Sequence, residues 1–81
     1  MAILNVTYRG LSADLPSEVE EFLSDDDIRA LAVEVVRSGG LPGLHAADIG
    51  EGTFRHFVVD RFTAAGGGQR IYLRPKVPFG R

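Results

Sequence analysis

The chain has no cysteine and no tryptophan, and only 9% of its residues are aromatic. Lack of cysteine excludes disulfides, thiolate metal ligands and a cysteine nucleophile together. No apolar run approaches the roughly 20 residues that a membrane-spanning helix requires, so no membrane association is expected. The opening MAILNVTYRG carries neither a basic leader nor the apolar centre of a signal peptide, and the expected location is the cytoplasm. His45 and His56 are the only histidines.

What is present is enough for one folded unit. Eighty-one residues with 44% hydrophobic side chains make one small domain, near the size at which a single core just offsets chain entropy. The net charge of −2 conceals a polarity: residues 1–51 carry ten acidic and three basic side chains, residues 52–81 one acidic and six basic. The expected reason is that the two halves lie side by side and neutralise each other; a basic face for an acidic partner is the functional alternative.

One long amphipathic pattern organises the chain. In SDDDIRALAVEVVRSGG (24–40), Ile28, Leu31, Ala32, Val35 and Val36 form a stripe at helical spacing. Ser24 or Asp25 suits the N-cap, three aspartates suit the positive end of the dipole, and Arg37 followed by Gly39 and Gly40 suits the exit. A helix follows, and its apolar stripe needs a cover.

The flanking segments supply strands. Ala2, Leu4, Val6 and Tyr8 alternate with Ile3, Asn5 and Thr7; Arg9-Gly10 offers a tight turn, and Leu11, Ala13 and Leu15 resume the alternation, which predicts a hairpin over 2–15 stopped by Pro16. Residues 17–23, with a Ser17/Glu20 capping-box spacing, read as an irregular or short helical connection; a single helix over 17–38 is the competing reading. The stretch GGLPGLHAADIGEG (39–52) reads as a loop anchored by Leu41, Leu44 and Ile49. Thr53–Phe62 and Gln69–Lys76 read as strands joined by a turn at the Gly66-Gly67-Gly68 run. Pro75 and Pro78 then mark the end of regular pairing, giving a domain over 1–76 and an extended tail over 77–81 in which Phe79 contributes little to the core.

The order β-β-α-β-β, with one helix that can bury its stripe only by crossing a sheet, is an α+β two-layer sandwich. Thr7-Tyr8-Arg9-Gly10 at the first turn, Ser24-Asp25 with Ile28 at the helix entry, and Gly40-Leu41-Pro42-Gly43 at its exit resemble the ubiquitin-like β-grasp modules. The resemblance implies a mixed sheet crossed by one main helix and a role in binding other proteins. The ending Phe79-Gly80-Arg81 lacks the paired glycines that activating enzymes adenylate, so conjugation is not carried over.

Nothing in the sequence assembles an enzyme site. The two histidines share no element and have no metal-binding spacing, the Asp25-Asp26-Asp27 run lacks the glycine and glutamate of a calcium loop, and the triple glycine is followed by no phosphate-loop lysine. No catalytic residue, metal or cofactor is expected. The leading expectation is a protein-interaction module whose contact is made by Arg55, Phe57, Val59, Arg61, Tyr72 and Arg74, where aromatic anchors and arginines concentrate. A homodimer is a second expectation, since the 54–62 segment has large residues on both faces. The alternative is nucleic-acid binding by the basic, aromatic C-terminal hairpin, disfavoured by the net acidic charge.

Overall fold

The structure, a computed structural model, describes residues 1–76; the predicted tail over 77–81, Phe79 included, lies outside them. Five elements follow in order: β1 (Ala2–Tyr8), β2 (Leu11–Asp14), α1 (Asp25–Ser38), β3 (Val58–Thr63) and β4 (Gln69–Arg74). The strands form one sheet in the order β2-β1-β4-β3. β1 runs parallel to β4, and both outer pairs are antiparallel. One helix on a four-stranded mixed sheet in this order is the α+β, β-grasp-like arrangement expected. No helix among the described residues is long and apolar enough to cross a membrane.

Local chemistry explains each element. Arg9 and Gly10 both take positive φ, 53° and 80°, as a two-residue hairpin turn of the type that matches strand twist demands. Ala2, Leu4 and Val6 are buried on one side of β1. Ser24 caps α1: its hydroxyl accepts from the Asp27 N–H at 3.0 Å and the Asp27 carboxylate accepts from the Ser24 N–H at 3.3 Å, a reciprocal capping box. Gly39 ends the helix at φ 82°, a left-handed conformation that costs a residue with a Cβ. The helix is rotated from the expected stripe. Ile28, Ala32, Val33 and Val36 are buried, while Leu31 and Val35 are only half-buried.

Residues 17–23 are not helical. Val19 bridges back to Ala2 with hydrogen bonds of 2.8 Å each way. Leu41, Leu44 and Ile49 anchor the long loop in the core as expected. The third strand is a correction, for it begins at Val58, not Thr53. Residues 51–56 make successive tight turns, with Thr53, Arg55 and Phe57 N–H groups bonding the carbonyls three residues earlier. That spacing brings Phe54 and Phe57 edge to face at 4.8 Å, and Tyr8 meets Phe54 at 5.5 Å. Phe54 is fully buried there, packed on Tyr8 and Phe57. The fourth strand ends at Arg74, short of the expected Lys76.

The two halves of the chain do meet in opposite charges. Arg61 reaches Asp25 at 2.8 Å and Arg70 reaches Asp14 at 2.9 Å.

Candidate interaction face

Because side chains alternate along a strand, the sheet has two unlike faces. The face under α1 carries Leu4, Val6, Ile71 and Leu73, all fully buried. The other face is covered by no element among the described residues. Its composition follows from the register. Ile3 lies beside Arg70, which lies beside Phe62; Asn5 lies beside Tyr72, which lies beside Asp60; and Arg74 lies beside Val58.

Phe62 is 56% exposed and stands edge-on to Tyr72, ring centroids 5.7 Å apart. A chain of polar contacts surrounds this pair. Arg74 Nε donates to Asp60 Oδ2 at 2.8 Å, and Arg70 Nε donates to the Tyr72 hydroxyl at 2.9 Å. A second Arg70 nitrogen crosses β1 to Asp14 Oδ1, also at 2.9 Å. Asp14 further accepts from Asn5 Nδ2 at 2.9 Å, and the Ser12 hydroxyl donates to Asn5 Oδ1 at 2.9 Å. The hydrogen bond to Tyr72, and then the Asp14 carboxylate, raise the Arg70 pKa above its already high ordinary value, so this guanidinium is charged at every working pH. The face is therefore an aromatic pair with small apolar flanks, set in a lattice of arginines whose charges are already matched.

The six residues expected to make the contact fall in three places. Tyr72 and Arg74 are on this open face. Val59 and Arg61 are on the opposite one, since Val59 pairs with Leu73 and Arg61 with Ile71. Arg61 is held there by the carbonyls of Glu21 and Leu23, at 3.3 and 2.8 Å, as well as by Asp25. Phe57 packs on Phe54, and its carbonyl takes two hydrogen bonds from Arg29, at 3.2 and 2.9 Å. Arg55 is exposed, at an open groove of about 590 Å³ between α1 and the loop, where Arg29, Arg37 and Arg55 are balanced by Asp26, Glu34 and Glu51. Ile3, Val58, Phe62 and Arg70 belong to the open face and were not among the six. A hairpin register that pairs Asp60 with Tyr72 would have picked out Phe62 and Arg70 as their same-face neighbours.

Neither histidine assembles a site. His45 Nε2 lies 3.0 Å from the Arg37 carbonyl at the helix exit, and His56 is exposed in the turn before β3. No group of three or more metal-ligating side chains converges among the described residues. Comparison with protein-family models, with curated proteins and with solved structures returns no match.

Proposed function

We propose that the protein is a non-enzymatic interaction module, ubiquitin-like in layout, that presents the open face of its sheet to a protein partner. One observation carries this reading: the Phe62–Tyr72 pair and its apolar neighbours lie uncovered on a surface whose polar groups are already bonded to one another. A partner that covers the rings gains apolar burial without stripping unpaired charges of water, the arrangement in which aromatic anchors contribute most. The same ion pairs weigh against nucleic acid. Phosphate binding needs unmatched cations, and Arg70 and Arg74 are matched by Asp14 and Asp60.

Site-specific photo-crosslinking in the source cell tests the proposal. A crosslinker at position 72 is expected to give protein adducts that fall at least ten-fold when Phe62→Ala is added, whereas one at exposed Glu34 on the outer side of α1 gives none of them. Equal adducts from both positions, insensitivity to Phe62→Ala, or adducts with nucleic acid in place of protein would overturn it.

A further inference from the structure

The two edges of the sheet differ in what they can pair with. At the β2 edge, the Leu15 N–H donates to the Leu4 carbonyl at 2.8 Å. Alternate residues of an antiparallel strand bond the same neighbour, so Leu11, Ala13 and Leu15 turn their backbone groups to β1, and Ser12 and Asp14 turn theirs outward. No strand among the described residues takes up those outward groups.

We propose that β2 is the interface of a symmetric homodimer, in which two copies pair antiparallel with Ala13 opposite Ala13 at the two-fold axis. This register sets the outward-bonding residues against each other: Ser12 of each copy lies opposite Asp14 of the other, hydroxyl beside carboxylate. On the helix side it sets Leu11, 55% exposed, against Leu15 of the second copy. The neighbouring registers fail. A shift one way opposes Asp14 to Asp14 and Ser12 to Pro16, which has no N–H to give. A shift the other way opposes Asp14 to Gly10, which is committed to the hairpin turn.

A second copy on the β2 edge covers the exposed Leu11 of each chain.

The β3 edge is built against self-pairing. The Ala64 N–H donates to the Gly68 carbonyl at 2.6 Å, which fixes Val59, Arg61 and Thr63 as the outward-bonding residues. The two registers that pair β3 with itself over most of its length set Arg61 against Arg61 or Asp60 against Asp60, and like charges directly opposite are destabilising. The dimer thus forms at β2, and the open faces of both copies stay free, so it stands independently of the proposed function.

A strand this short gives an interface below the roughly 1,200–2,000 Å² of stable complexes, so the dimer is concentration-dependent. Analytical ultracentrifugation of the full chain over about 10 μM to 1 mM tests it, with circular dichroism confirming that each variant is folded. The wild type is expected to rise from one chain mass towards two. Ser12→Asp, which opposes aspartate to Asp14 twice, is expected to weaken association at least ten-fold, while Ser12→Lys, which opposes opposite charges, associates at least as well as wild type. A wild type that stays monomeric throughout, or a Ser12→Asp variant that associates as well as Ser12→Lys, would overturn the proposal.

Discussion

The two faces of this sheet are built from the same strands, residue by residue in alternation, yet they are held in opposite ways. Under α1 the strands offer Leu4, Val6, Ile71 and Leu73, none accessible to water, and the layer is closed at one end by the fully buried Phe54. On the other side the polar groups are bonded laterally across the sheet: Asn5 to Asp14, Arg70 to Tyr72 and Asp14, and Arg74 to Asp60. The first face gains its stability from burial, at about 1.5–3 kcal/mol for each large apolar side chain removed from water. The second gains little from exposed ion pairs, whose worth is typically about 0–1 kcal/mol each. The difference teaches that stability and recognition can be separated by a period of two: a step of one residue along β1 or β4 moves from a position that holds the fold to one that is free to meet a partner.

Substitutions can break that separation or sharpen it. The largest effect is expected at Leu4→Ala, which leaves a cavity in the middle of the covered face and should cost about 2–5 kcal/mol in denaturant unfolding. A smaller effect is expected at Arg61→Ala. This side chain lies on the covered side and is held by two carbonyls and a carboxylate, so its loss should cost about 1–3 kcal/mol through unsatisfied acceptors. Arg61→Lys should recover only part of that, because an ammonium cannot reproduce the planar fork of donors. Full recovery by lysine would show that Arg61 contributes charge alone.

Much of the fold was legible because its signals are periodic or chemical. The alternation from Ala2 to Tyr8, the Arg9-Gly10 turn, the cap at Ser24 or Asp25 and the glycines at the helix exit all point to the same arrangement. Residues 51–57 were not legible in the same way. In TFRHFVV a short apolar run fits strand alternation, but Phe54 and Phe57 meet through turns of three residues, and a pattern so short does not distinguish the two. The α1 stripe was legible at Ile28, Ala32 and Val36, which are buried, and missed Val33. Leu31 and Val35 fit the 3.6-residue period, yet the hydrogen bonds that Arg29 and Arg37 make to the loop accompany a rotation that buries Val33. The candidate face depended on one further quantity, the register of the β3–β4 hairpin. A run of small residues and glycines such as TAAGGG permits several loop lengths, and a slip of one residue exchanges the two faces of a strand. Tyr72 and Arg74 were therefore grouped with Val59 and Arg61, whose side chains emerge on the opposite side.

Equilibrium unfolding of Phe54→Ala beside Phe62→Ala tests the separation of the two faces most directly. The residue type and the substitution are the same, but Phe54 is wholly buried and Phe62 is 56% exposed. Phe54→Ala is expected to lose about 3–5 kcal/mol and Phe62→Ala less than about 1 kcal/mol, the size of an ordinary surface change. Losses that agree to within about 1 kcal/mol would contradict the account, for the open face would then carry as much of the fold's stability as the face beneath the helix.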